Sequence, residues 1–279
     1  MSSLREIKDR IGSVKGTLKI TSAMKLVASS KLRKAQKAIE AMRPYETALG
    51  EILSSLPAGG DIPHAASADP KVAIVAIASN SSLCGAFNAN AVKKAKEAAD
   101  SAGSGVVVYS IGRKMAEAMK RLGHVSPGDF TSLCGSSDYA AVCSLATDLC
   151  KRYSAGEYSK VLLVYNHFVS TSRQDAVTEQ YLPAQAGQGK SGESGEEDYI
   201  CEPSGEEIAA SLLPQVLGLK LFAAVLDSAA AEHAARTIAM QTASDNAEDL
   251  LSALTLEYNK GRQQKITAEI LDLLGGSAR

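Results

Sequence analysis

The sequence contains no tryptophan, and aromatic residues make up only 5% of its 279 positions. Alanine is abundant instead, and the hydrophobic content of 45% is ordinary for a globular protein with a real core. Few aromatics combined with many alanines are typical of long helices rather than of a β-sandwich or barrel. The composition therefore predicts a protein dominated by helix.

Cysteine and histidine are too scattered to form a recognisable metal site. None of the five cysteines stands in a C-x-x-C pair, and the four histidines show no ligand spacing. The nucleophile elbow G-x-S-x-G and the zinc motif H-E-x-x-H are missing as well. We therefore expect no catalytic site, no metal and no cofactor, and we expect structural thiols in a reducing compartment.

Long uninterrupted apolar runs are missing too. The most apolar stretch is interrupted by Lys220, Asp227 and Glu232, so we expect it to fall short of the roughly 20 residues that span a bilayer. The N-terminal stretch MSSLREIKDR is neither an apolar signal sequence nor an acid-poor targeting peptide. We expect a protein that is soluble or peripheral to a membrane.

Charge is unevenly distributed, although the net charge is only -1. Residues 1–43 contain eleven lysines or arginines and three acids, a local charge of +8, which leaves -9 for the remainder. A basic helix of this kind suits nucleic acid, a membrane surface or an acidic protein partner.

The stretch AQAGQGKS at residues 184–191 approaches the phosphate-binding loop G-x-x-x-x-G-K-[ST]. That loop needs a helix directly after it, whose N-terminus holds the phosphates. The next residues, GESGEED, contain two glycines and four acids and offer no apolar face with which a helix would dock. We interpret the stretch as an acidic surface loop, and a nucleotide-binding enzyme built on it is the less favoured alternative.

Both ends of the chain predict long helices that pair with each other. In residues 1–57, apolar residues recur at alternating spacings of three and four, as in a heptad repeat: Leu4, Ile7, Ile11, Val14, Leu18, Ala28, Leu32, Ala35, Ile39 and Met42. The seam is interrupted at Thr21 and Lys25, where we expect the apolar positions to shift to Ile20, Met24 and Val27. Such a helix is about 80 Å long and needs a partner helix.

The partner is predicted in residues 204–279, which are rich in helix formers. Their apolar stripe has near-heptad spacing: Ile208, Leu212, Leu219, Phe222, Leu226, Ile238, Met240, Leu250, Leu251, Leu254, Ile266, Ile270 and Leu273. If this segment is helical throughout it reaches about 100 Å, so one end is expected to extend beyond the shared coiled coil.

The middle of the chain has a different pattern. After a linker at residues 58–70, the segment 71–203 alternates apolar strand runs with helical stretches. Strands are predicted at 71–78, 106–111 and 161–166, with edge strands at 176–182 and 199–201, and helices are predicted at 88–101, 112–122 and 137–153. This alternation predicts a largely parallel, Rossmann-like α/β domain inserted between the two long helices.

Three segments resemble the γ subunit of F-type ATP synthase, the central rotor of the F1 motor. The first is KITSAMKLVASSKLRKA at 19–35, and the second is EYNKGRQQKITAEI at 257–270, extended upstream by RTIAM and ASDNA. The third is SNSSLCGAFN at 79–88, similar to the family's SDRGLCGGFN, from which Ser81 and Ser82 depart. Gly261 replaces an alanine of the family, at a cost of about 1 kcal/mol in helix stability.

The resemblance implies an α/β fold in which the terminal helices form a long antiparallel coiled coil. It implies a central stalk that rotates inside a ring of three α and three β subunits and couples ion flow through the membrane sector to ATP synthesis or hydrolysis. The ε subunit and the c-ring would be further partners, and the protein would be peripheral to the cytoplasmic face of the bacterial plasma membrane. Nucleotide sites would belong to the ring, and nucleic acid would not be a partner.

The resemblance also implies which residues contact the ring. Met24 and Lys25 would lie beside an acidic loop of β, and Lys31, Arg33 and Lys34 would continue that basic face. On the C-terminal helix the expected contacts are Arg236, Arg262, Gln263 and Thr267. The second alternative is a coiled coil that binds nucleic acid through its basic helix, although the only aromatic residue there, Tyr45, offers little base stacking.

Overall fold

The computed structural model describes residues 4–55, 71–103, 105–135, 138–183, 202 and 204–276. The first helix, α1 (Leu4–Ser55), and the last, α5 (Gly205–Gly276), enclose the smaller elements in sequence. The chain divides into two compact units. We call them the coiled-coil unit, which holds the residues up to Ser29 and from Arg236 onward, and the α/β unit, Ser30–Ala235.

In the coiled-coil unit the two helices run antiparallel. Leu4 lies against Gly261, and Thr21 lies against Ser244, so advancing along α1 means moving backward along α5. Among the buried residues of α5 in this unit, four keep a heptad spacing, as a coiled coil requires: Met240, Ser244, Ala247 and Leu254. The predicted coiled coil is confirmed.

The predicted shift of the α1 seam is wrong. Ile20 and Val27 are 61% and 57% exposed, whereas Thr21 is only 8% exposed and Ala28 is buried. The three-four spacing therefore continues through position 21, because the hydroxyl of Thr21 finds a hydrogen-bond partner across the seam in Ser244.

The α/β unit contains a four-stranded sheet in the order β2-β1-β3-β4. The strands are β1 (Lys71–Ile77), β2 (Val106–Ile111), β3 (Tyr158–Phe168) and β4 (Gln174–Leu182). β1 pairs in parallel with β2 and β3, and β4 is an antiparallel edge strand on β3. The continuous apolar run of β1 is typical of a strand covered on both faces, and its residues from Ala73 to Ile77 are buried. The largely parallel sheet is confirmed; the strand predicted at 199–201 lies outside the described residues.

Helices cover both faces of this sheet. On one face lie α2 (Phe87–Ala102) and α3 (Arg113–Arg121), and on the other lie α4 (Tyr139–Ser154) and the first part of α5. α4 begins where the Asp138 carboxylate accepts a hydrogen bond from the Ala141 amide at 3.3 Å, an N-cap. Within the same unit, Leu32 and Ala35 of α1 pack on Ala230 and Ala234 of α5.

One helical stretch, Glu207–Leu273 within α5, is long and apolar enough to cross a membrane by length and composition. The expectation that charges rule out such a stretch is therefore wrong. Packing accounts for the apolar side chains in the first part of this stretch, since Leu217, Leu221 and Val225 belong to the core beneath the sheet. Composition alone does not distinguish this core helix from a membrane helix.

Candidate partner-binding faces

The C-terminal end of α5 presents apolar side chains that are between about half and three-quarters exposed. At Gly261 the helix still lies beside α1, since a Cβ added to this glycine would come within 3.0 Å of Leu4 Cδ2. Beyond it, Ile266, Ile270, Leu271 and Leu273 are 47–75% exposed. Apolar side chains clustered at this density on a surface mark an interaction site.

Three of the predicted contact residues lie on this same end. Arg262, Gln263 and Thr267 are all exposed, and the Thr267 hydroxyl donates to the Gln263 carbonyl of its own helix at 2.9 Å. That hydrogen bond uses the backbone carbonyl of Gln263 and does not engage its side-chain amide.

A second apolar surface lies on α1. Ile20, Leu26 and Val27 are 57–70% exposed, and between them Met24 and Lys25 are partly covered. Sequence reasoning placed Ile20 and Val27 in the seam and gave Leu26 no role. These three residues are apolar but do not fall on the heptad spacing of the seam. That combination is the sequence signal that they face outward.

The other predicted residues fall in different surroundings. Arg236 is only 8% exposed, so little of its side chain can meet a ring subunit. Lys31, Arg33 and Lys34 are exposed, and they belong to the α/β unit, whereas Met24 and Lys25 belong to the coiled-coil unit.

Within the coiled-coil unit the predicted residues form two separate groups. Met24 and Lys25 lie near the Thr21–Ser244 contact, and Arg262 to Thr267 lie beyond the Leu4–Gly261 contact. Thr21 follows Leu4 by 17 positions on α1, which corresponds to roughly 25 Å of helix. Any partner that touches both groups therefore extends along the helices.

The α/β unit contains a cleft of about 420 Å³, lined by both apolar and charged side chains, that sequence reasoning missed. His167 Nδ1 lies 2.5 Å from Asp227 Oδ2, and Asp227 Oδ1 accepts from the Phe168 amide at 3.1 Å. Across the cleft, the Tyr165 hydroxyl donates to Glu179 at 3.0 Å. The bonds of Asp227 join α5 to β3, and the bond of Tyr165 joins β3 to β4. The hydrogen bonds that line the cleft therefore hold the helix in its position on the sheet.

Burial sets the electrostatics of this cleft. It raises the pKa of Asp227, and the bonds from His167 and the Phe168 amide only partly oppose it. Burial also raises the pKa of Glu46, which Arg43 and Lys220 oppose and Glu179 reinforces. Among the residues that the structure describes, no three His, Cys, Asp or Glu side chains are grouped to hold a metal.

The fold and the exposed faces are those of a coiled-coil subunit that functions in contact with other chains. The ATP synthase family profile matches residues 3–278. The ATP synthase gamma chain of Phocaeicola vulgatus is 49% identical, and that of Bacteroides thetaiotaomicron 45% identical, each over 99% of both chains. The chain therefore belongs to the ATP synthase gamma chain family, and its function is that of the rotor subunit in the central stalk.

Solved structures show the same fold. A chain of the Euglena gracilis mitochondrial ATP synthase is similar with a TM-score of 0.65 at 18% identity, covering 99% of this chain and 93% of that one. A central-stalk chain of the Tetrahymena thermophila enzyme gives a TM-score of 0.59 at 20% identity, over 81% and 99%. Neither the nucleic-acid-binding alternative nor the nucleotide-binding one is supported, and the stretch AQAGQGKS lies outside the described residues.

Proposed function

We propose that this chain rotates inside a ring of three α and three β subunits and couples ion flow through the membrane sector to ATP synthesis or hydrolysis in that ring. Family membership over the whole length supports this assignment. The ε subunit and the c-ring are the proposed partners at the other end of the rotor. The location that fits these partners is the cytoplasmic face of the bacterial plasma membrane.

The observation that carries the ring contact is the uncovered end of α5. Ile266, Ile270, Leu271 and Leu273 lose water only if another protein surrounds them. Apolar contacts are non-directional, unlike hydrogen bonds and ion pairs. A partner that surrounds these side chains with an apolar surface therefore offers little resistance to their rotation. The apolar end of α5 is thus suited to turn within its partner.

The polar residues have a different role in this proposal. Lys25, Arg262 and Gln263 are placed to favour one conformation of a β subunit over another as the rotor changes its orientation. A contact shifts a conformational equilibrium only by the difference between its affinities for the two states. Lys31, Arg33 and Lys34 extend the positive charge toward an acidic loop of β, and Met24 and Thr267 complete the proposed contacts, whereas Arg236 is left out of them because it is almost covered.

The chain itself is proposed to have no catalytic site. Nucleotide chemistry is assigned to the ring, and AQAGQGKS is proposed not to bind ATP. The purified chain should show no saturable ATP binding at micromolar concentration. Saturable binding that disappears in Lys190→Ala would contradict this assignment.

Charge reversal at Lys25 tests the coupling role. We expect Lys25→Glu to assemble with α and β but to pump fewer protons per ATP hydrolysed in membrane vesicles, because an acidic loop would be repelled. Lys15→Glu is the matched control, an exposed lysine on the same helix outside the proposed contact. Unchanged pumping per ATP in Lys25→Glu, or equal loss in both variants, would reject the role of Lys25.

A further inference from the structure

The outward sides of α2 and α3 form one continuous surface of the α/β unit, which we call the α2/α3 face. Ala91 and Ala95 of α2 and Met115 and Met119 of α3 are buried in a single core on the same side of the sheet. Because both helices turn their apolar sides to that sheet, their polar sides face outward together.

This face is strongly basic. It has seven cationic and three acidic residues: Lys93, Lys94, Lys96, Arg113, Lys114, Lys120 and Arg121 against Glu97, Asp100 and Glu117. The charge of +4 stands out because the chain beyond residue 43 carries -9 in all. The basic α1 segment is therefore not the only place where this protein attracts anions.

Ion pairs account for only part of this charge. Lys94 pairs with Glu97, and Arg113 and Lys114 share Glu117. Within the described residues, Lys93, Lys96, Lys120 and Arg121 have no ion-pair partner, and all four are exposed. Four cations are thus available to a ligand outside the chain.

Apolar side chains stand directly beside these cations. α3 ends at Arg121, and in the segment that follows Leu122 is 42% exposed and Val125 is 71% exposed. Lysine and arginine next to exposed aliphatic side chains form the combination found on proteins that rest on membrane surfaces, where cations meet headgroups and aliphatic groups enter the acyl boundary.

We propose that the α2/α3 face binds the anionic headgroups of a phospholipid surface, with Lys93, Lys96, Lys120 and Arg121 on the phosphates and Leu122 and Val125 at the acyl boundary. Clusters of four to eight cations near a bilayer are what anionic lipid requires, at about 1 kcal/mol for each charge. The site is separate from the proposed ring contacts, none of which lies on α2 or α3.

The chemistry of the face favours lipid over an acidic protein. Protein interfaces are depleted in lysine and enriched in aromatic residues and arginine, whereas the unpaired cations here are three lysines and one arginine. Neither α2 nor α3 carries an outward aromatic side chain to act as an anchor. A fluid lipid surface also suits a rotor, because headgroups exchange and no fixed partner has to be released as the face turns.

Vesicle binding by the purified full-length chain tests the proposal. The probes are vesicles of about equal phosphatidylglycerol and phosphatidylcholine, and vesicles of phosphatidylcholine alone, at about 0.1 M salt, where charges still act over roughly 10 Å. We expect binding to the anionic vesicles only, with a loss of at least tenfold when Lys93, Lys96, Lys120 and Arg121 are all changed to glutamine.

The matched control changes three lysines and one arginine on α1, Lys8, Arg10, Lys15 and Lys19, to glutamine, which alters the net charge equally. This control should lose no more than about threefold if the α2/α3 face carries the contact. Leu122→Ser with Val125→Ser should weaken binding severalfold and leave its salt dependence unchanged. Equal loss in the two quadruple variants, or no binding of the native chain to anionic vesicles, would overturn the proposal.

Assembly of the α2/α3-face variant into an active ATPase complex keeps this test independent of the rotor assignment. The variant should still co-purify with α and β and hydrolyse ATP at the native rate, which also shows that it folds. The native chain could fail to bind anionic vesicles while a protein subunit fails to co-purify with the variant. In that case the face binds an acidic protein and the lipid assignment is wrong.

Discussion

Thr21 Oγ1 lies 2.8 Å from Ser244 Oγ, a hydrogen bond between two hydroxyls buried inside the antiparallel coiled coil. Thr21 and Ser244 are 8% and 6% exposed, and the buried apolar residues Ala28, Met240 and Ala247 belong to the same seam. A polar pair at one seam position favours a single register, because any slip would leave both hydroxyls buried without each other. This pair therefore fixes how the two helices are aligned.

The two hydroxyls should differ in their effect on stability. Thr21 also bonds the Leu18 carbonyl at 3.1 Å, so Ser244→Ala leaves it satisfied. Thr21→Val removes the cross-helix partner of the Ser244 hydroxyl and should lower the free energy of unfolding by roughly 1–3 kcal/mol. Urea unfolding of both variants and the double variant should show that adding Ser244→Ala restores part of the loss, and simple additivity would contradict the pairing.

Gly112 connects β2 to α3 and should tolerate no side chain. Its φ is +97°, and a Cβ there would collide with the carbonyl of Ala78, lying 2.8 Å from the carbonyl carbon. Gly123 has a similar φ of +88° with open space around it. We expect Gly112→Ala to cost at least about 3 kcal/mol and Gly123→Ala about 1–2 kcal/mol in thermal unfolding, and equal costs would show that only the backbone angle matters.

Stability should depend on pH through Glu46. Because burial raises its folded pKa above 4.5, the contribution of this group is most favourable below pH 4.5 and is lost as pH rises through the raised value. The native protein should therefore lose stability relative to Glu46→Gln over this range. If the native protein instead becomes more stable relative to the Glu46→Gln variant as pH rises, the account is contradicted.

Substitution of Gly261 by alanine has two opposing effects on stability, a gain in helix propensity and crowding against Leu4. A Cβ on Gly261 would lie 3.0 Å from Leu4 Cδ2, the end of a flexible side chain. Alanine gains about 1 kcal/mol of helix propensity over glycine, so Gly261→Ala should stabilise fully only in a Leu4→Ala background. Chemical unfolding of the native protein, Gly261→Ala, Leu4→Ala and the double variant gives the comparison. If Gly261→Ala raises the free energy of unfolding equally with Leu4 and with Ala at position 4, the Leu4 side chain moves aside at no cost in stability.

Much of this fold follows from the sequence, because heptad spacing and buried strand runs are local signals. Helices α1 and α5 and the strands of the sheet were predicted within a few residues of their bounds. The failures occur where a distant partner decides the outcome. Thr21 stays in the seam because of Ser244, and His167 meets Asp227 sixty residues away, and no local pattern reveals either pairing.

Assignment of the contact residues has the same limit. The family resemblance supplies Lys25 and Arg262, but only the fold reveals that Ile20, Leu26 and Val27 face outward and that Arg236 is almost covered. Exposure is a property of the packed helices, so the spacing of apolar residues alone assigned Ile20 and Val27 to the wrong side.

The most direct measurement of the central claim is purification of the tagged chain from its own membranes, with ATPase activity assayed on the eluate. If the chain is the rotor of an ATP synthase, α and β subunits should co-purify with it, and the eluate should hydrolyse Mg-ATP. Recovery of the chain alone, or with nucleic acid and without ATPase activity, would contradict the account.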